Sequence, residues 1–97
     1  MILHIVSRSP HAHDALQRCL AVAAATDALM LIEDGVYALA AARSLLPEAG
    51  VVTGIYALQP DLDARGITLP AAGPVQIVDY AGFVDLTARF DKTLSWF

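Results

Sequence analysis

The chain has 97 residues, enough for one hydrophobic core and too few for two. Apolar residues make up 57% of it and charged residues 16%, against roughly 25% charged in an average soluble domain, so its surface is short of charge. The net charge is −4 and the six basic residues are scattered singly, which leaves no basic stripe for phosphates, so direct nucleic-acid binding is not expected.

A charge deficit of this kind fits either a membrane segment or a subunit whose apolar surface other chains cover. A spanning helix needs about 20 predominantly apolar residues. Arg18, Thr26, Asp27, Glu33 and Asp34 interrupt every such run in the first half of the chain. The opening residues hold an apolar patch too short for a secretory core, with no small-residue cleavage site after a basic start. The expectation is a protein without membrane attachment, with surface buried in an oligomer. A single cysteine and no signal segment point to the cytoplasm.

In chain order, Ile2-Leu3-His4-Ile5-Val6 reads as a buried strand that gives way to Ser7-Arg8-Ser9-Pro10. Ser9 before Pro10 has the form of a helix N-cap with proline at the first helical position. The helix so started puts Leu16, Cys19, Leu20 and Ala23 on one apolar stripe, with Asp14 and Arg18 paired at i, i+4. Thr26-Asp27 closes it. Ala28-Leu29-Met30-Leu31-Ile32 is apolar at every position, as expected of a parallel strand covered on both faces. Glu33-Asp34-Gly35 turns into a second helix over Val36-Tyr37-Ala38-Leu39-Ala40-Ala41-Ala42-Arg43.

Pro47 and Gly50 lead to a third strand at Val52–Leu58, and Pro60–Arg65 predicts a short helix with Gly66 at its C′ position. Pro70-Ala71-Ala72-Gly73-Pro74 is a loop and Val75-Gln76-Ile77-Val78 a fourth strand. Asp79 is placed to cap a last helix in which Phe83, Leu86 and Phe90 share a face. The tail from Lys92 to Phe97 has room for a short fifth strand. Strands alternating with helical crossovers predict one α/β domain over residues 1–97, a three-layer sandwich on a mostly parallel sheet of four or five strands. In such folds ligands collect beyond the carboxyl ends of the strands. Here that edge comprises Ser7–Ser9, Glu33–Gly35, Gln59–Asp61 and Asp79-Tyr80.

Cys19 is the residue whose chemistry matters most. A lone cysteine forms no internal disulfide and has no resolving thiol of its own, so it is either a small core hydrophobe or a sulfur-handling group that needs a partner protein. Its place on the apolar stripe favours the core reading. His4, His11 and His13 do not make a metal-ligand pattern, since i, i+2 spacing does not put His11 and His13 on one helical face and no HExxH or CxxC accompanies them. His4, in an otherwise apolar strand, reads as a core histidine with its own partner. Glu33 and Asp34 cap a helix as readily as they bind a ligand. Neither a glycine-rich phosphate loop nor G-x-S-x-G is present, and no cofactor is expected.

Taken together in order, several blocks resemble the DsrH/TusB family. The opening Leu3-His4-Ile5-Val6-Ser7-Arg8-Ser9-Pro10 is similar to that family's L-H-x-x-x-[RK]-S-P start. Asp27–Tyr37, Tyr56-Ala57-Leu58 with Asp61 and Ala64-Arg65-Gly66, Asp79–Leu86 and the terminal Ser95-Trp96 continue the likeness over nearly the whole chain. The resemblance implies a DsrE/DsrF/DsrH-like fold and a subunit of a cytoplasmic heterohexamer. Its partners would be the paralogous DsrE/TusD-like and DsrF/TusC-like subunits, and it would pass persulfide sulfur to a DsrC/TusE-type acceptor. The endpoint would be thiolation of the tRNA wobble uridine or oxidation of stored sulfur. The resemblance also implies that the principal sulfur-carrying cysteine belongs to the DsrE/TusD-like subunit. Cys19, matching a helix-one cysteine of DsrH-type members, would be at most a secondary carrier in an accessory, non-catalytic subunit. The competing expectation is a stand-alone α/β module binding a small ligand at the Glu33-Asp34 and Asp79 edge.

Overall fold

The computed structural model describes residues 1–40, 46–48, 50–70 and 73–97. Its sheet has five strands in the order β4-β3-β2-β1-β5, with β1 at Ile2–Val6, β2 at Ala28–Leu31, β3 at Gly54–Leu58, β4 at Val75–Val78 and β5 at Lys92–Trp96. Every neighbouring pair is parallel. The tail is thus a full edge strand, with Ile2 opposite Lys92 and Val6 opposite Trp96.

This strand order fixes the layers. The steps β1 to β2, β2 to β3 and β3 to β4 all run the same way across the sheet, so right-handed crossovers put their connections on one face. The last step jumps back across the sheet to β5, so its helix must lie on the other face. The packing agrees. α1 (Ala15–Val22), a 3-10 helix (Glu33–Leu39) and α2 (Gln59–Ala64) close one core, in which Leu16, Cys19, Val36, Leu39 and Leu62 meet Val6, Leu29, Leu31 and Ala57 of the sheet. Among the described residues α3 (Tyr80–Arg89) is the one helix on the opposite core, with Leu86 against Leu3, Ala28, Met30 and Leu58. All four residues of β2 are buried, which is why that strand reads as an unbroken apolar run.

Three local expectations are corrected. α1 begins at Ala15 rather than at Pro10, because Ser9 spends its groups on a turn: its Oγ accepts the His11 N–H (3.2 Å) and its carbonyl accepts that of His13 (3.0 Å). α1 ends at Val22, well before Thr26-Asp27, and Ala23 is already extended. The second helix is a 3-10 helix that starts at Glu33, not an α-helix from Val36; Ala41, Ala42 and Arg43 lie outside the described residues, as do Ala71 and Ala72 of the predicted loop. Close approach explains the tight turn. A Cβ on Gly35 would sit 2.2 Å from the Val6 carbonyl oxygen, so only glycine lets the chain pass there. Elsewhere the Asp14–Arg18 pair forms (3.0 Å), Gly66 takes its positive φ of 65° after α2, and the Asp79 carboxylate accepts the Gly82 N–H at 2.8 Å.

Candidate functional site

Cys19 lies in the middle of α1 with its side chain in the core, 0% exposed. Burial, reinforced by the negative charge of Asp27, pushes its thiol up to about 12. A group held in that state is protonated at neutral pH and is a poor nucleophile. In the isolated chain the thiol is thus both covered and unactivated.

Beside it, on the same face of the sheet, a largely buried polar chain joins β5 and β1 to Asp27, the residue just before β2. Trp96 of β5 donates its indole N–H to His4 Nδ1 at 3.0 Å, and His4 Nε2 lies 2.9 Å from Asp27 Oδ2. An indole nitrogen can only donate. His4 Nδ1 is therefore the acceptor, the imidazole is the neutral Nε2–H tautomer, and it donates to the Asp27 carboxylate. That carboxylate also accepts the N–H of Ile2 and of Ala24, each at 2.9 Å. Burial works against ionisation of Asp27, but the hydrogen bonds from Ala24, His4 and Ile2 outweigh it and take the carboxyl down to about 2. The sequence anticipated a partnered core histidine at His4 but not its partners. The one available signal was an acid, Asp27, set directly before a fully apolar strand.

At the carboxyl edge of the sheet the aspartates are engaged by backbone N–H groups and by Arg65. Asp61 accepts the Glu33 N–H at 2.8 Å, which helps hold Glu33 at its left-handed φ of 48°. Arg65 donates from Nε and Nη2 to Asp34 Oδ1 (3.1 and 2.9 Å) and lies 5.8 Å from the centre of the Tyr37 ring. α2 and α3 leave β3 and β4 toward opposite faces, and between them is an open hollow of about 340 Å³ lined by Gln59, Ile77, Val78, Asp79 and Gly82. The structure therefore does not bring Cys19 and this edge together; they are separate places. His11 and His13 are exposed in the turn before α1, away from the buried His4. Among the described residues no helix is long and apolar enough to cross a membrane.

The fold and its interior thus define a small parallel α/β protein with a covered thiol and no assembled catalytic constellation among the described residues. Comparison with known proteins places it more closely. A model of the family described as DsrH like protein matches residues 8–93. Protein TusB of Serratia proteamaculans (strain 568) is 38% identical over 96 residues, covering 98% of this chain and all of that protein. Protein TusB of Pectobacterium parmentieri is 35% identical over the same span and coverage. The chain belongs to the DsrH-like family. Among solved structures, the ychN protein from E. coli superposes with a TM-score of 0.76 at 23% identity, covering 97% of each chain, which speaks to the fold alone. Protein Tm0979 from Thermotoga maritima gives 0.64 at 25% identity over 91% of this chain and 92% of its own.

Proposed function

We propose that this chain is an accessory subunit of a cytoplasmic sulfur-relay complex that passes persulfide sulfur to a DsrC/TusE-type acceptor. Residues 1–97 would act in it as a single domain. The observation that carries this reading is family membership over essentially the whole length, with relatives named Protein TusB. The relatives' name favours thiolation of the tRNA wobble uridine over oxidation of stored sulfur as the endpoint. The partners are DsrE/TusD-like and DsrF/TusC-like subunits in a heterohexamer. The low charge content supports a covered surface, and so do exposed apolar side chains such as Tyr80, Val84 and Phe97, at 62, 63 and 75% exposure.

The buried thiol supports an accessory role, because a sulfur carrier must present a thiolate to both donor and acceptor. On this reading Cys19 packs the core, and the persulfide is held by another subunit. The ligand-module alternative is less well supported, since Asp34, Asp61 and Asp79 are each engaged by the protein itself. Co-expression with the two paralogous subunits, followed by size exclusion with light scattering, tests the assignment. A stable hetero-oligomer is expected. A monomer that stays alone at high concentration in the presence of both paralogues would refute it.

A further inference from the structure

The edge strand β5 is held to the molecule by little side-chain packing. Lys92, Thr93, Leu94 and Ser95 are all exposed, and Trp96 alone of the strand packs against the core on the α1 side. That indole is pinned from two directions. Its N–H goes to His4 Nδ1 at 3.0 Å, and the Arg18 guanidinium lies 6.0 Å from its ring centre while donating to the Phe97 backbone oxygen. The first of these attachments runs through a base. His4, 2% exposed, is the one titratable side chain of β1, and imidazole is the side chain that ordinarily changes charge between pH 5 and 8.

With Nε2 already carrying a hydrogen, an added proton enters at Nδ1 and turns the acceptor of the indole N–H into a second donor. Two donors cannot share that 3.0 Å contact. On its other side the ring faces Asp27 Oδ2 at 2.9 Å, and a carboxyl at about 2 keeps Asp27 ionised throughout this pH range. On α1, Arg18 is paired with Asp14 at 3.0 Å, and the Cys19 thiol, pushed up by burial to about 12, stays uncharged. β2 and β5 place only Leu29 and Leu94 opposite His4, while Lys92 and the Met1–Asp91 pair (3.2 Å) sit at the amino ends of β5 and β1. The Asp27 carboxylate therefore accommodates the new charge, and the contact that has to break is the one to Trp96. We propose that His4 is a proton-operated latch on β5: the neutral imidazole holds Trp96, and protonation at Nδ1 expels the indole N–H, frees Trp96 and Phe97 from α1 and bares the backbone edge of β1 at Ile5 and Val6, which Ser95 and Trp96 otherwise cover. The proton comes from solvent, and the only bond formed is N–H. The latch is independent of the relay-subunit reading.

The chain has one tryptophan, so its fluorescence reports on the latch directly. Between about pH 8 and pH 5, acrylamide quenching of Trp96 is expected to rise and its emission to shift to the red, while nitrogen NMR of the His4 ring shows Nδ1 gaining its hydrogen over the same interval. Amide protection, corrected for the intrinsic pH dependence of exchange, is expected to fall by about tenfold or more at residues 94–96 and to hold at residues 28–31. In Trp96→Phe, protection of β5 is expected to be low already at pH 8 and indifferent to acid, with the far-UV circular dichroism kept. His11→Gln combined with His13→Gln removes the two exposed imidazoles and is expected to keep the wild-type transition. A Trp96 environment that stays constant while Nδ1 gains its hydrogen, or no gain of hydrogen in this range, would overturn the proposal. So would a transition that disappears with His11 and His13, or an equal loss of protection in β2, which marks general acid unfolding.

Discussion

Asp27 accepts hydrogen bonds from Ile2, His4 and Ala24 and so ties the amino ends of β1 and β2 to the turn after α1. Its carboxyl is at about 2 when folded, against 3.8 for a free aspartate. The stability it contributes is therefore present above pH 3.8 and lost as the pH falls through 2. That shift corresponds to about 2 kcal/mol. Denaturant unfolding followed from pH 6 down to pH 2 is expected to show this loss, and Asp27→Asn to flatten it. Trp96→Phe keeps an aromatic ring on β5 but leaves His4 Nδ1 without a donor in the core. An unmade buried hydrogen bond of this kind costs ~1–3 kcal/mol, and the variant's unfolding midpoint is expected to fall accordingly. These residues were only half legible in the sequence. His4 stood out against its strand, but a partner 92 positions away leaves no local pattern to read.

At the scale of elements, the strands were the most legible parts because they are short apolar or β-branched runs bounded by turn residues, β2 being buried at every position. β2 and β4 lie within a residue of where their apolar runs predict them. Helix limits were less so. Ser9 could cap a helix or close a turn, and the choice depends on where α1 must dock, which is a property of the core. The 3-10 helix follows from the close pass of Gly35 under β1, a contact invisible in sequence. Gly35→Ala is expected to destabilise the chain by ~1–3 kcal/mol or more, because backbone rather than a movable side chain stands in the way. Asp79→Ala removes the α3 cap and is expected to cost ~1 kcal/mol, seen as a lower melting temperature with the fold kept.

For the whole molecule, alternation of strand and helix together with crossover handedness was enough to give a layered parallel sheet. The tail left room for a fifth strand, but its place beside β1 is set by long-range pairing that the sequence does not display. The candidate site was legible as a residue and partly as an environment. Cys19 could be singled out by count and its apolar stripe pointed to the core, where it lies, whereas the raised thiol depends on packing and on the neighbouring Asp27. On the proposed function this chain serves the relay by assembling it, with the sulfur held elsewhere. Mass spectrometry of the reconstituted complex, loaded by a persulfide donor and chased with the acceptor, tests this most directly when wild-type and Cys19→Ala chains are compared. No added sulfur on Cys19 and undiminished transfer to the acceptor in the variant are expected. A persulfide on Cys19 that disappears as the acceptor is loaded, together with loss of transfer in an assembled Cys19→Ala complex, would contradict it.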